Sequence, residues 1–165
     1  MANIRDKLQA DIHPDYRVDI ESLIRSTGLS VTDEGMILLE DVADLPPQAL
    51  LDIMSRLIGA MEYIESRRAL ITSLVKQKAA DLNSLEATKR LEYLEKREFA
   101  RGSKTDSELV VSKDPQVVAL KKKIATYEAF GQYLKAMYEL LSMAHYTAKT
   151  ALNTATNRGT MGYEG

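Results

Sequence analysis

Cysteine is absent from this 165-residue chain, and histidine occurs only twice. Without cysteine the protein has no disulfide, no thiolate metal site and no cysteine nucleophile. His13 and His145 lie far apart in the sequence, so we do not expect a histidine-based metal site either. The composition therefore predicts no metal and no other cofactor.

Long apolar runs are also missing, because no stretch approaches the roughly 20 residues that a membrane-spanning helix needs. The chain does not open with a basic segment followed by an apolar core, so we expect a protein that is not exported. We find no glycine-rich phosphate loop, no nucleophile elbow and no helical H-E-x-x-H. Carboxylates such as Glu92, Glu95 and Glu98 lie at helical spacings from lysine and arginine, as in surface ion pairs. We therefore predict that the protein is not an enzyme.

The net charge of −2 hides an uneven distribution. Residues 1–52 contain four basic and eleven acidic residues, a net charge of −7. Residues 53–125 contain fifteen basic and ten acidic residues, a net charge of +5. Such a division indicates a polyanion-binding region together with an acidic contact surface.

The clearest periodicity lies in the predicted helix 117–152. Apolar residues recur there at alternating intervals of three and four over five heptads, which is the spacing of a helix packed along another helix. The predicted seam consists of Val117, Leu120, Ile124, Tyr127, Gly131, Leu134, Tyr138, Leu141, His145, Ala148 and Leu152. A neighbouring column, Phe130, Met137, Ala144 and Ala151, widens it. The extra width favours a second partner helix, from this chain or from another copy.

A second long helix is predicted from Pro47 to about Arg101, since this stretch has no further proline and only Gly59. Beyond Leu85 its heptad register slips, and Ala87, Leu91 and Leu94 become the periodic apolar residues, which makes a break near residues 83–84 conceivable. Its heptad columns before the slip are Leu50, Leu57, Ile64, Ile71, Lys78 and Leu85, and Met54, Met61, Arg68, Val75 and Leu82.

The segment before Pro47 is predicted to hold two short helices. The first runs from Ile4 to Ile12 and ends at His13-Pro14. The second spans about residues 17–27, with Gly28 directly after its end. The apolar run at residues 36–39 fits a short strand and a turn of helix equally well.

Together these patterns predict an all-α fold: a long antiparallel, coiled-coil-like helical hairpin with a small N-terminal helical module, which we expect to be oligomeric. The module covers residues 1–45 and the hairpin residues 46–156, with a connecting loop at 102–114. In that loop a Leu109-Val110-Val111 patch suggests a short β segment or a loop that orders on a partner. Asp114 and Pro115 are predicted to cap the returning helix. Residues 157–165 are predicted to be disordered.

Basic residues gather at one end of this hairpin. Between residues 86 and 125, ten basic residues face seven acidic ones, a net charge of +3. Aromatic residues lie nearby, and stacking on an aromatic ring adds about 1–3 kcal/mol per base in single-strand binders. Tyr93 is the best candidate for stacking, because Tyr127 belongs to the seam. The predicted single-stranded DNA site comprises Lys89, Arg90, Tyr93, Lys96, Arg97, Arg101, Lys104, Lys121, Lys122 and Lys123. The alternative interpretation is an ordinary charged helix surface.

The order of three features resembles the UvsY-type recombination mediators of tailed phages over roughly residues 50–155. These features are the basic, aromatic turn at residues 89–94, the polar connection ending in Lys113-Asp114, and the amphipathic helix 124–152. The family's L-K-A-R-L motif falls on residues 87–91, where Arg90 and Leu91 match. Thr88 stands where the first basic residue is expected, and Lys89 substitutes for it. The acidic residues 1–45 have no counterpart in that pattern.

The resemblance implies a non-enzymatic, ring-forming homo-oligomer in the cytoplasm of an infected bacterial host. Such a protein binds single-stranded DNA during recombination and repair, remodels a single-strand-binding protein and loads a RecA-like recombinase. A second hypothesis is a structural or assembly coiled coil, similar to a scaffold or chaperone. Its acidic module would dock a protein partner, and it would have no affinity for DNA.

Overall fold

The structure is a computed structural model that describes residues 10, 12–31, 37–38, 45–95 and 104–161. The chain divides into two compact units. The first unit combines Met1–Tyr16 with Ala69–Gln132, and the second combines Arg17–Arg68 with Tyr133–Gly165.

The predicted all-α helical hairpin is confirmed, because the two long helices pack antiparallel. The described elements in chain order are a 3-10 turn at Pro14–Tyr16, α1 at Ile20–Ser26, β1 at Ser30–Val31, β2 at Ile37–Leu38, α2 at Pro47–Glu95, α3 at Lys104–Ser112 and α4 at Pro115–Met161.

The short elements of the second unit follow their local sequence signals. Asp19 caps α1 by accepting a hydrogen bond from the Ser22 amide at 3.0 Å. Gly28 follows the helix with φ +82°, a conformation that other residues rarely adopt. Strands β1 and β2 form a two-residue antiparallel pair, so the apolar run near residue 37 is a strand here. The predicted first helix lies almost entirely outside the described residues.

Helix α2 runs unbroken through residues 83–84, so the register slip there does not interrupt the helix. It begins at Pro47, as predicted. The predicted column is buried in its first half, at Leu50, Leu57, Ile64 and Ile71. Beyond Ile71 no α2 residue is fully buried, and its packed face is a half-buried stripe that comprises Val75, Lys78, Leu82, Leu85, Glu86, Lys89 and Tyr93.

The residues of α2 that follow the register slip are not packed as the sequence predicted. Ala87, Leu91 and Leu94 are exposed, with Leu91 61% accessible. Glu86, Lys89 and Tyr93, which lie on another side of the helix, occupy the half-buried face instead. Residues with long polar side chains therefore pack at this end of α2, because their stems cover apolar surface while their charged groups pair.

The buried seam of α4 lies one column away from its predicted centre. Val117 is buried in the first turn, and from residue 127 onward the buried residues, again at alternating intervals of three and four, are Tyr127, Phe130, Leu134, Met137, Leu141, Ala144 and Ala148. The other predicted column, Ile124, Gly131, Tyr138, His145 and Leu152, is half-buried. Half of the predicted seam, Tyr127, Leu134, Leu141 and Ala148, is therefore buried as predicted. Phe130, Met137 and Ala144, which appeared to widen the seam, form its second buried column.

Two segments predicted to lack helix are helical. The connection between the long helices contains the nine-residue helix α3, with Ser107 and Val111 buried one turn apart. Helix α4 continues through residue 157 to Met161, and residues 162–165 lie outside the described part of the chain.

Candidate nucleic-acid interface

The structure describes the side chains of six of the ten predicted DNA-binding residues, namely Lys89, Arg90, Tyr93, Lys121, Lys122 and Lys123. Lys96, Arg97 and Arg101 lie outside the described residues. Lys104 is the first residue of α3.

Asp114 organises the start of α4 in the first unit. Its Oδ1 accepts hydrogen bonds from the amides of Gln116 at 2.8 Å and Val117 at 3.4 Å, and Pro115 follows in the first turn. These are the bonds of an N-cap, which satisfy amides that a helix cannot pair internally. The predicted cap of the returning helix is confirmed.

Asp114 also connects α4 to α2. Its Oδ2 lies 3.4 Å from the Nζ of Lys89, which is also 3.6 Å from Oε2 of Glu92. Burial raises the pKa of Asp114, but the amides of Gln116 and Val117 and the ammonium of Lys89 outweigh this and lower it below its ordinary value of 3.8. The carboxylate is therefore ionised at neutral pH and holds Lys89 beside the first turn of α4.

A second ion pair joins the same two helices. The Nζ of Lys121 on α4 lies 2.8 Å from Oε1 of Glu86 on α2. The residue numbers rise on one helix as they fall on the other, from the pair 86–121 to the pair 89–114, as antiparallel packing requires. The structure therefore brings the cationic end of α2 and the cationic start of α4 together, as the sequence predicted.

Two of the predicted lysines, Lys89 and Lys121, are paired with carboxylates by these contacts. Within the described ranges, Lys89 and Lys121 meet three carboxylates, those of Glu86, Glu92 and Asp114. These two lysines are therefore less available to a phosphate than the sequence suggested. The sequence did contain the signal, because Glu86 and Asp114 are among the acids in the segment, but their pairing depends on the register between the helices.

Among the predicted basic residues, Arg90, Lys122 and Lys123 are exposed and have no carboxylate within ion-pair distance among the residues that the structure describes. Three consecutive residues of an α-helix point about 100° apart, so Lys121, Lys122 and Lys123 do not form one face. Lys121 turns toward α2, whereas the other two lysines extend into solvent. The part of the predicted site that is open to a phosphate is therefore Arg90, Lys122 and Lys123.

Tyr93 is half-buried and lines a cleft of about 210 Å³. The cleft lies between the end of α2, helix α3 and the cap of α4, and is lined by Lys89, Glu92, Tyr93, Val110, Val111 and Asp114. The sequence analysis singled out Tyr93 but did not place the valines beside it. The isolated Val110-Val111 patch in a polar segment was the signal that this segment packs.

Tyr127 and the two histidines occupy different environments. Tyr127 is 3% exposed and meets Tyr16 edge-on, with ring centroids 6.5 Å apart, so it is a core residue. His145 is half-buried, and His13 lies 3.4 Å from Asp15 in the 3-10 turn. Across the described ranges, no three acidic or histidine side chains are grouped so that they could hold a metal ion.

None of the helices in the described part of the chain is both long enough and apolar enough to cross a bilayer. Comparisons of the chain with protein-family models, with curated proteins and with solved structures found no match.

Proposed function

We propose that this chain is a non-enzymatic recombination mediator, which binds single-stranded DNA as a homo-oligomer and assists the loading of a RecA-like recombinase. The observation that carries the proposal is the convergence of basic residues where α2 ends and α4 begins. Lys89 and Lys121 meet the partner helix there, and Arg90, Lys122 and Lys123 project from the same region into solvent. The role in recombination, in the cytoplasm of an infected bacterium, rests on the resemblance to UvsY-type mediators.

The acidic pI of about 5.8 is compatible with this function. Binding of a polyanion depends on local charge and on the number of sites joined in one particle. A ring of copies would repeat the three exposed basic residues around one DNA strand, so that a modest contribution from each chain becomes a continuous track.

The nearly uncharged residues 140–157 of α4 support the proposal that the chain forms a homo-oligomer. Residues 140–157 contain Lys149 as their only lysine, arginine or carboxylate. Met143 and Tyr146 are 63% and 72% exposed on this stretch, away from the buried seam. An exposed helix surface with so little charge is typical of a protein contact.

The direct test is binding of an oligonucleotide as the salt concentration rises from about 50 to 300 mM. A slope of log affinity against log salt near −0.7 for each phosphate neutralised is expected. The variant Lys122→Ala/Lys123→Ala should weaken binding and make the slope shallower. Lys76→Ala/Lys135→Ala is the matched control, because it removes the same charge at two exposed lysines that lie outside the predicted site. Absence of binding, or binding independent of salt, would exclude the mediator.

The uncharged stretch also favours a second candidate, the assembly coiled coil without DNA affinity. Two variants distinguish the recombination mediator from the assembly coiled coil. Replacing Met143 and Tyr146 by serine should reduce the mass measured by light scattering in both cases. Replacing the three lysines 121–123 by alanine should abolish the function of a mediator and leave an assembly protein intact.

A further inference from the structure

The cleft beside Tyr93 has a chemical character that differs from that of the exposed basic residues. Its walls are the side chains of Tyr93, Val110 and Val111, and its rim carries Lys89, Glu92 and Asp114. The rim has one positive and two negative charges, and the positive charge is held by both carboxylates at 3.4 and 3.6 Å. A phosphate group would meet net negative charge here, so the cleft does not suit the DNA backbone.

The same lining suits a flat heterocycle. Apolar and aromatic walls can bury the faces of a base, and a carboxylate accepts hydrogen bonds from an amino group on its edge. Both oxygens of Asp114 are engaged, one by the two amides and one by Lys89. The carboxylate of Glu92 is 47% exposed and lies 3.6 Å from Lys89, beyond hydrogen-bond distance, so it is the acceptor that remains for a ligand.

The volume of the cleft limits the size of the ligand that it can hold. Its volume of about 210 Å³ is below the range of about 300–1,000 Å³ in which drug-sized ligands bind. A single base fits this scale better than a whole nucleotide, whose sugar and phosphate would extend toward the solvent-exposed residues of the same helix ends.

We propose that this cleft takes one unpaired base of single-stranded DNA, with its amino edge toward Glu92 and its ring beside Tyr93 and Val110. The inference rests on the proposed DNA-binding function and adds to it a preference for particular bases. Cytosine, adenine and guanine carry an exocyclic amino group and thymine does not, so the cleft should favour these three bases over thymine.

The first experiment compares three oligonucleotides of equal length, made of deoxycytidine, of thymidine and of abasic residues. All three carry the same phosphates. The deoxycytidine strand should bind at least about fivefold more tightly than the abasic strand, as expected for one stacked base. The thymidine strand should lie between them. Equal affinity for the deoxycytidine and abasic strands would overturn the base site while leaving the proposed DNA-binding function in place.

Two variants test whether the preference for deoxycytidine arises in the cleft. Val110→Phe should fill it, lowering affinity for the deoxycytidine strand to that for the abasic strand and leaving the latter unchanged. Val118→Phe is the matched control, because Val118 lies in the same unit, is similarly exposed at 49% against 47% for Val110, and does not line the cleft. A deoxycytidine preference that survives Val110→Phe would assign it to another surface, and the cleft would then be a contact for a protein side chain.

A measurement without DNA separates this inference from the proposed function. Free deoxycytidine, added to the full chain with isotope-labelled valine methyl groups, should shift the signals of Val110 and Val111 and not that of Val118. Glu92→Ala should reduce these shifts. Absence of any shift would exclude the base site, whatever the oligonucleotides do, whereas shifts without oligonucleotide binding would retain the cleft and exclude the mediator.

Discussion

The ammonium group of Lys89 lies 3.4 Å from the carboxylate of Asp114, the residue that caps helix α4. The carboxylate of Asp114 thus caps the N-terminus of α4, pairs with Lys89 on α2 and forms part of the cleft rim. Two other structural features with measurable consequences are the second ion pair, between Glu86 and Lys121, and the shifted seam of α4.

Asp114→Ala should lower the free energy of unfolding in urea by about 0.5–2 kcal/mol, because it removes the N-cap of α4. Asp114→Asn should cost much less, since asparagine caps a helix about as well as aspartate and only the pair with Lys89 is lost. Equal losses in the two variants would show that the charge, and not the cap, is what matters.

Stability should also depend on pH through Asp114. Its pKa is lowered in the folded state from the ordinary 3.8, so the unfolded chain takes up the proton first as the pH falls. The contribution of this carboxylate is therefore fully present above about pH 4–5 and is lost as the pH drops through the lowered folded-state pKa. The difference in unfolding free energy between wild type and Asp114→Asn should shrink across that acidic range. A difference that grows toward low pH would contradict the assignment.

Glu86→Gln should raise the affinity for single-stranded DNA, because it releases Lys121 from its carboxylate at 2.8 Å. The slope of log affinity against log salt should steepen by about 0.7 if Lys121 then neutralises one phosphate. Glu62→Gln changes the net charge equally and alters an exposed carboxylate in the second unit, so it should leave both quantities nearly unchanged.

The shifted seam is tested by two aromatic residues of α4. Phe130 is fully buried whereas Tyr138 is half-buried. Phe130→Ala should therefore cost about 3–5 kcal/mol of unfolding free energy, as for aromatic residues in cores. Tyr138→Ala should cost clearly less. The reverse order would restore the register predicted from the sequence.

Gly59 offers a stabilising substitution. It lies within α2, and a Cβ added there would meet no heavy atom within 4 Å. Gly59→Ala should raise the free energy of unfolding by up to about 1 kcal/mol, because alanine is the better helix former. Thermal denaturation monitored by circular dichroism would measure it, and a lower midpoint would indicate that this surface contacts another chain.

The long helices and their caps could be predicted because their signals are local. Pro47, Asp114 and Gly28 mark helix ends through their own backbone chemistry, and the structure places each of them at such an end. The antiparallel hairpin also followed from the sequence, since two long heptad patterns joined by a short connection have few other ways to bury their apolar stripes.

Helix α3 could not be recognised in the same way. Its adjacent valines favour a strand by intrinsic propensity. In the structure, Val111 is buried together with Ser107, one helical turn earlier, so packing within the first unit overrides that preference. Helix α4 likewise continues through weakly helical residues to Met161, because each added residue of a nucleated helix gains a backbone hydrogen bond.

The candidate site could be predicted in part. The sequence identified which basic residues gather at the helix ends, and the contacts of Lys89 and Lys121 place these ends together. It could not separate paired lysines from unpaired ones, because that distinction depends on which residues of α2 face α4. A shift of one heptad column, as seen for the α4 seam, is enough to exchange them.

The nearly uncharged stretch at residues 140–157 has a practical consequence for work in solution. Ions screen contacts between charges but do not weaken apolar association, and sulfate strengthens it. For the proposed mediator, raising the ionic strength should thus release nucleic acid from Arg90, Lys122 and Lys123. Any assembly through Met143 and Tyr146 should remain. A purification step in concentrated sulfate would then yield DNA-free particles whose subunit number can be counted directly.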